Sequence, residues 1–193
     1  MHPARVGLGR SPVVPLEVVS WNSDGFFSAL RTAGGRKHDR YGTGTDLFRR
    51  YPLVLLQEAH GGEADLLALR TAFPSHRFFG SFCSTPGAGG LLFSISPSIT
   101  YSITFLEVVP GRIAFVRFSD AGRHYIIVNI HLCPGLGRAL ARSQLSLLRA
   151  KLREFVNDFI LIVGDFNFVD PAEGRLQLPA GSLSLHHDLY YEV

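Results

Sequence analysis

A carboxylate and an amide follow one of the most apolar segments of the chain. Residues 159–167 read FILIVGDFN and place Asp165 and Asn167 two positions apart. The two side chains project to the same side if the extended conformation continues past Gly164. A carboxylate there is costly to desolvate, and a divalent cation bound together with phosphate oxygens is one common compensation. Taken alone, the residues GDFN favour a turn over a metal site, since Gly, Asp and Asn are frequent turn residues.

Further carboxylates follow two other apolar segments. Asn22 ends the segment LEVVSWN, and Asp24 follows it with the same spacing of two. Glu58 ends the segment LVLLQE. Glu58 together with Asp24 or Asp165 supplies oxygens for one Mg²⁺ ion, with water and phosphate completing the shell. Alternatively, Asn22 and Asp24 form a turn or a helix cap, and Glu58 is a surface charge at a strand end.

Neutral polar side chains complete this candidate set. Asn22 and Asn167 are donors suited to a phosphate oxygen that gains negative charge during a reaction. His131, in the segment NIHL, can donate a proton or a hydrogen bond to that phosphate. A lone histidine is more often a core residue with its hydrogen bonds satisfied. The occurrence of all four segments in one chain favours a shared catalytic cleft.

Charge and composition limit the possible partners. The chain has 193 residues, 46% of them hydrophobic, and a net charge of +3, which suits one domain with a substantial core and permits an anionic partner. Basic residues concentrate between Arg31 and Arg50 and between Arg138 and Arg153. Each segment either contacts a phosphate backbone or is ordinary solvated surface. Within the first segment the candidate phosphate contacts are Arg36, Lys37 and Arg40.

Targeting and cysteine signals are weak. No apolar stretch reaches the roughly 20 residues of a membrane span, and prolines interrupt the N-terminal residues 1–15, which we expect to be a loose lead. These features predict a soluble, intracellular protein. Two cysteines without a CxxC pair indicate neither a disulfide framework nor a structural zinc site.

The order of predicted elements indicates a mixed α/β (α+β) fold within a single domain of residues 16–193. Two strands, at residues 16–22 and in YPLVLLQEA, come before a run of five strand-like segments between residues 76 and 132 that predicts an antiparallel meander. Helices are predicted in FFSALRTAG, in EADLLALRTAF and, most clearly, over residues 139–158. The glycine-rich and charged residues 34–46 predict a mobile loop, and Phe159–Val163 predicts a strand buried on both faces.

In this order, the segments SWNSDG, LLQE, GGLLFSIS, NIHL and GDFN resemble the motifs of the endonuclease/exonuclease/phosphatase superfamily, the DNase I and AP-endonuclease group. The resemblance covers residues 16 to about 170. Within the superfamily, the PGRIAFVRF strand and the GDFNFVD form look most like endonuclease domains of non-LTR retrotransposons.

The resemblance implies a DNase I-like four-layered sandwich in which two mixed β-sheets, flanked by helices, face each other over a cleft. It also implies Mg²⁺-dependent phosphodiester hydrolysis, with Mn²⁺ as an alternative cation and DNA as the substrate. Glu58, with Asp24, would hold the metal, and Asp165 would orient the attacking water. Asn22, Asn167 and His131 would contact the phosphate. Arg112 would lie near the cleft or serve as a structural arginine at the start of a strand.

One part of the superfamily pattern is missing from the sequence. The pattern continues with an Asp on a further strand and a closing Ser-Asp-His, and only His186-His187-Asp188, in the wrong order and too soon after Asp165, has a similar composition. We therefore expect a truncated domain whose second sheet is incomplete and exposes an apolar edge. Without its general base the cleft would be weak or inactive, because acid/base catalysis typically contributes about 10²- to 10⁴-fold.

Three functions remain open from the sequence. The first is a Mg²⁺-dependent DNA endonuclease, and the second is a non-catalytic remnant that binds nucleic acid or a partner chain. The third keeps the fold but hydrolyses a phosphoinositide or sphingolipid phosphodiester, since an acidic membrane surface would also attract the basic loop.

Overall fold

The computed structural model of the chain describes residues 16–28, 36–85, 87–120, 122–132 and 138–167, without the side chains of residues 36–38 and 138. Within them, three α-helices are Arg36–Arg50 (α1), Glu63–Ala72 (α2) and Arg138–Leu152 (α3), the last followed by a 3₁₀ turn at Arg153–Phe155. The eight strands are β1 (Val18–Asn22), β2 (Leu53–Gln57), β3 (Arg77–Ser81), β4 (Leu91–Ile95), β5 (Ile103–Val109), β6 (Ile113–Asp120), β7 (Arg123–His131) and β8 (Phe159–Asp165).

The strands form two mixed sheets of four strands each. The first sheet has the order β1-β2-β4-β3 and the second the order β5-β6-β7-β8. In each sheet one pair is parallel, β1 with β2 and β7 with β8, and the remaining pairs are antiparallel. The predicted meander is confirmed for β5-β6-β7, whereas β4 turns back to pair with both β3 and β2.

Three apolar clusters divide the fold into four layers. Side chains such as Leu55, Phe93 and Val116 fill the space between the two sheets. Phe26, Phe48 and further aromatic residues pack on the outer face of the first sheet, where α1 and α2 lie. A third cluster joins the outer face of the second sheet to α3. The predicted four-layered α/β sandwich is therefore confirmed.

The prediction of a mobile loop at residues 34–46 is wrong from Arg36 onward, because these residues begin α1. Tyr41 stacks on Phe26 with ring centroids 5.1 Å apart, and Thr45 and Phe48 are buried on the same side of the helix. Gly44 allows this approach, since a Cβ there would lie 2.5 Å from the Phe26 ring. Tertiary packing thus overrides the poor intrinsic helix propensity of the glycines.

The prediction that Phe159–Val163 is buried on both faces is also wrong. Strand β8 is the outermost strand of the second sheet among the described residues, and Phe159 to Ile162 are 41–58% exposed. The exposed side chains of β8 agree with the expectation that the second sheet has an apolar edge. The predicted helix in FFSALRTAG lies outside the described residues after Ser28.

No helix among the described residues is both long and apolar enough to cross a membrane.

Candidate active site at the strand ends

The carboxyl ends of the two parallel strand pairs meet where the sheets face each other. Strands β1 and β2 end at Asn22 and Gln57, and β7 and β8 end at His131 and Asp165. Strand β8 contacts both β1 and β2 across the interface. Because parallel strands end on the same edge, each pair brings two polar termini to the same place.

Four side chains from these strand ends form what we call the strand-end cluster: Asn22, Glu58, His131 and Asp165. The Asn22 amide Nδ2 donates to Glu58 Oε1 at 3.2 Å and to Asp165 Oδ2 at 2.8 Å. His131 Nε2 lies 3.1 Å from Glu58 Oε1. The cluster therefore joins four segments that are distant in the sequence.

His131 is the most deeply buried member of the strand-end cluster, with a side-chain exposure of 2%. Its Nδ1 lies 2.9 Å from an Arg112 guanidinium nitrogen. Its Nε2 approaches Glu58 outside hydrogen-bonding geometry and has no hydrogen-bond partner among the described residues. Burial lowers the pKa of His131 below its ordinary value, with Arg112 acting in the same direction and the Glu58 and Asp165 carboxylates opposing it. Burial therefore disfavours the charged form of the imidazole.

Backbone strain concentrates around the same place. The described non-glycine residues with positive φ are Asp24 (43°), Glu58 (51°), His60 (51°) and Asn167 (49°). All four lie just beyond the ends of β1, β2 and β8. Such left-handed conformations cost free energy in non-glycine residues and cluster at functional sites, where the surrounding structure enforces them.

Gly164 allows β8 to deliver Asp165 to the cluster. It has φ of 135°, and a Cβ at this position would lie 2.0 Å from the Ile130 carbonyl oxygen. Gly164 pairs with Ile130 and Asp165 with His131 in the parallel register of β7 and β8. The glycine that seemed to indicate a turn is therefore required by close backbone contact inside the sheet.

A buried polar pair lies at the same end of the two sheets, one residue before Glu58 and two before His131. Gln57 Nε2 donates to Asn129 Oδ1 at 2.6 Å, and the Asn129 amide donates to the Leu56 carbonyl oxygen at 3.0 Å. Both side chains are almost fully buried. Since Gln57 belongs to the first sheet and Asn129 to the second, this pair fixes the relative position of the two halves of the cluster.

Asp24 and Arg40 lie beside the cluster and not within it. The Asp24 carboxylate is 65% exposed and pairs with Arg40 at 2.7 Å. Arg40 also donates to the Asp24 carbonyl oxygen. Of the two carboxylates predicted to share a metal with Glu58, Asp165 lies in the group of close ligand atoms and Asp24 does not; the role of Asp24 as a metal ligand stays a prediction. Arg36 and Lys37 belong to the first turn of α1, and their side chains are outside the described part of the chain.

Asn167 and His60 support the two carboxylates. Asn167 donates its backbone N–H to Asp165 Oδ1 at 3.0 Å and its side-chain amide to the Leu132 carbonyl oxygen at 2.7 Å. His60 Nε2 lies 3.6 Å from Glu58 Oε2. His60 is not among the site residues predicted from the sequence, although its spacing of two from Glu58 was a usable signal.

The donor set of the cluster fits a divalent cation. One ligand atom each from Glu58, His131 and Asp165 lie within 4.8 Å of one another. Two carboxylates that share one amide donor repel each other unless a positive charge lies between them. Carboxylate oxygens are the ligands that Mg²⁺ and Mn²⁺ prefer.

A second concave feature, an apolar groove, is not lined by carboxylates or histidines among the described residues. It lies between α3 and β8 and is lined by Leu145, Leu148, Leu152, Val156 and Ile162, with two arginines at its border. The cluster, and not this groove, is therefore the candidate active site.

The model of the endonuclease/exonuclease/phosphatase family matches residues 19–191 of the chain. No match to the sequence exists among curated proteins. The narrower likeness to retrotransposon endonuclease domains stays a prediction.

Three solved structures illustrate the similarity in fold. TDP2 from D. rerio, in complex with a single-strand DNA product, has a TM-score of 0.53 and 20% identity over 79% of this chain and 61% of that chain. ANGEL2, a 2',3'-cyclic phosphatase, has a TM-score of 0.59 and 15% identity over 80% of this chain and 53% of that chain. AP endonuclease LMAP from Leishmania major has a TM-score of 0.55 and 12% identity over 77% of this chain and 54% of that chain.

At these identities the similarity shows the fold alone. The chain spans between 53% and 61% of the length of these three structures.

Proposed function

The chain belongs to the endonuclease/exonuclease/phosphatase family, and on that premise we propose that the strand-end cluster hydrolyses phosphodiester bonds with a bound divalent cation. The preferred cation is Mg²⁺, with Mn²⁺ as the alternative, and the substrate is DNA. The observation that carries this proposal is the convergence of Glu58 and Asp165 on the single Asn22 amide.

Glu58 and Asp165 would hold the cation. Their oxygens come from facing sheets, and the Gln57–Asn129 bond fixes the distance between those sheets. When bound, the cation supplies positive charge that polarises a phosphoryl oxygen and stabilises the charge developing on it. Asp165 would also orient the attacking water, with its other oxygen held by the Asn167 N–H.

Asn22 and His131 would contact the phosphate. Asn22 donates its two amide hydrogens to Glu58 and Asp165 and would turn one of them to the phosphate. Preorganised N–H donors are worth most in a buried position from which water is excluded. His131 is almost fully buried and its Nε2 has no hydrogen-bond partner among the described residues, so it would act as a hydrogen-bond donor to the phosphate. Asp24 and Arg40 would form an exposed pair at the rim of the cleft.

DNA is the proposed substrate because basic residues surround the cluster on more than one element. Arg40 lies in α1 beside Asp24, and Arg112 contacts His131. The net charge of the chain is +3, which favours a polyanion. TDP2, whose fold is similar, is seen with a single-strand DNA product.

Nicking of supercoiled plasmid in Mg²⁺, Mn²⁺ or EDTA tests the proposal. We expect nicking with either cation and none in EDTA. Glu58→Gln and Asp165→Asn should each reduce the rate by at least the roughly 10- to 100-fold that loss of a metal's supporting groups costs. The control is Glu154→Gln, which removes an exposed carboxylate paired with Lys151 and should leave nicking unchanged.

Other outcomes contradict specific parts of the proposal. A folded protein that binds DNA without cleaving it would favour the non-catalytic remnant. Nicking that survives Glu58→Gln would place the activity elsewhere. Faster hydrolysis of phosphoinositide or sphingolipid headgroups than of DNA would replace the substrate and keep the reaction class.

A further inference from the structure

Arg112 holds His131 by its main chain and its side chain at once. The His131 backbone N–H donates to the Arg112 carbonyl oxygen at 2.8 Å. The Arg112 guanidinium lies 2.9 Å from His131 Nδ1. The imidazole is therefore fixed against the residue that ends the turn before β6.

This contact determines which imidazole nitrogen carries the proton. A guanidinium only donates hydrogen bonds, so Nδ1 of His131 must accept. An Nδ1 that accepts a hydrogen bond carries no proton, so the single N–H group of the imidazole is at Nε2. The N–H is then on the buried Nε2, which lies 3.1 Å from Glu58 Oε1 but outside hydrogen-bonding geometry.

We propose that Arg112 is a positioning residue that sets the tautomer of His131, and that it thereby excludes His131 from the cation's ligands and keeps it as a donor for the phosphate. This inference rests on the proposed function of the strand-end cluster. By distance alone, Nε2 belongs to a three-ligand group with Glu58 and Asp165. A protonated Nε2 has no lone pair to offer a metal, so only the two carboxylates remain as ligands from this group.

The consequence is selectivity between metals. An all-oxygen set suits Mg²⁺ and Mn²⁺, whereas a set with an imidazole nitrogen suits Zn²⁺ and Ni²⁺. Without the guanidinium, His131 is free to move its proton to Nδ1 and expose the Nε2 lone pair to the cluster. Arg112 therefore disfavours zinc-type metals at this position.

Gly89 provides the space that this contact needs. It has φ of 67°, and a Cβ there would lie 2.8 Å from the Arg112 guanidinium carbon. The Gly89 carbonyl oxygen also accepts the His60 N–H at 2.9 Å. The loop before β4 thus packs against the guanidinium.

The first test measures the tautomer directly, in metal-free and substrate-free protein. Long-range ¹⁵N–¹H spectra of histidine-labelled protein distinguish a protonated from an unprotonated ring nitrogen, and His131→Asn identifies the signal. We expect His131 to be protonated at Nε2 and unprotonated at Nδ1. A proton on Nδ1 would overturn the proposal, and this measurement needs no folded Arg112 variant.

The second test is a gain of metal affinity. Arg112→Met should move the His131 proton to Nδ1 and raise the affinity for Zn²⁺ and Ni²⁺, measured by calorimetry, by about tenfold or more, the scale on which a ligand's supporting partners act. Adding His131→Asn should remove the gain. The control is Arg70→Met, which removes an exposed arginine that donates to the Phe78 carbonyl oxygen at 2.8 Å.

Three results would overturn this role of Arg112. They are an Arg112→Met protein with unchanged tautomer, a protein with no gain in Zn²⁺ affinity, and a gain that persists in the double variant. None of these readings involves hydrolysis. A failure of plasmid nicking therefore leaves the tautomer result intact, and a wrong tautomer leaves the hydrolase proposal standing on Glu58 and Asp165.

Discussion

Strands β2 and β8 have similar sequences and opposite surroundings. Each has a run of apolar residues that leads to a carboxylate, Glu58 after LVLLQ and Asp165 after FILIVG. Strand β2 lies between β1 and β4, and each of its residues is buried. Strand β8 pairs with β7 alone among the described strands, and its first four residues are exposed. An apolar run therefore predicts a strand but not whether that strand is central or at an edge.

The difference means that the two carboxylates are supported unequally. The Glu58 carbonyl oxygen accepts the Gly25 N–H at 2.7 Å. The N–H of the next residue, Ala59, donates to the Gly90 carbonyl oxygen at 3.0 Å. Asp165 depends on the β7 pairing and on the Asn167 N–H. We therefore expect substitutions on the β2 side to change global stability most, and those on the β8 side to act mainly on the position of Asp165.

The largest expected effect comes from truncating one apolar side chain in each strand. Leu55→Ala removes a fully buried side chain between the sheets and should lower the free energy of unfolding by about 2–5 kcal/mol. Ile160→Ala, at a position 41% exposed, should cost less than half as much. Urea unfolding of both variants measures the difference. Equal losses would show that β8 is as well buried as β2.

Gly164→Ala should disturb the end of β8. A Cβ at Gly164 would collide with the Ile130 carbonyl oxygen, and the φ of 135° is strained for alanine, so we expect a loss of about 1–3 kcal/mol together with displacement of Asp165. The matched control is Gly42→Ala in α1, where a Cβ would meet nothing within 4 Å. That helical substitution should stabilise by about 0.5–1 kcal/mol. A loss at Gly42 comparable to that at Gly164 would contradict the close-contact explanation.

Ser23→Ala tests the support on the β2 side. The buried Ser23 hydroxyl donates to the Gln57 carbonyl oxygen at 2.8 Å, and its loss should cost about 0.5–1.5 kcal/mol. Ser98→Ala, which removes an exposed hydroxyl, is the control. Thermal unfolding of the two variants gives the comparison. A larger loss at Ser98 would argue against the proposed support of the β2 end.

The smallest effect is expected at Asp24. Its carboxylate forms an exposed ion pair with Arg40, and such pairs contribute roughly 0–1 kcal/mol. Asp24→Asn should therefore leave unfolding nearly unchanged and reduce Mn²⁺ affinity far less than Asp165→Asn does. Loss of Mn²⁺ binding in Asp24→Asn alone would restore Asp24 as a metal ligand.

The sequence was sufficient for most strands because their apolar runs are bounded by Gly, Pro and Asn. It failed at α1, where Gly42 and Gly44 suggested a loop and contacts to Phe26 decide in favour of a helix. It also could not separate the surroundings of β2 and β8, since burial depends on neighbouring strands and not on the run itself.

The candidate site was predictable to a similar degree. The i, i+2 spacing at Asp165 and the polar ends of β1 and β2 marked residues that the structure brings together. The ion pair between Asp24 and Arg40 was not predictable, because it depends on the left-handed backbone at Asp24 and on the helix α1, which contains Arg40. The contact of Arg112 with His131 joins two strands across the sheet, and no local pattern signals it.

Mn²⁺ binding to the wild type and to Glu58→Gln and Asp165→Asn, followed by electron paramagnetic resonance, is the most direct measurement of the central inference that two strand ends from facing sheets hold one cation. The inference predicts one bound Mn²⁺ per chain in the wild type and strongly reduced binding in each variant, with Glu154→Gln unchanged. Undiminished binding of one Mn²⁺ in either variant would contradict it.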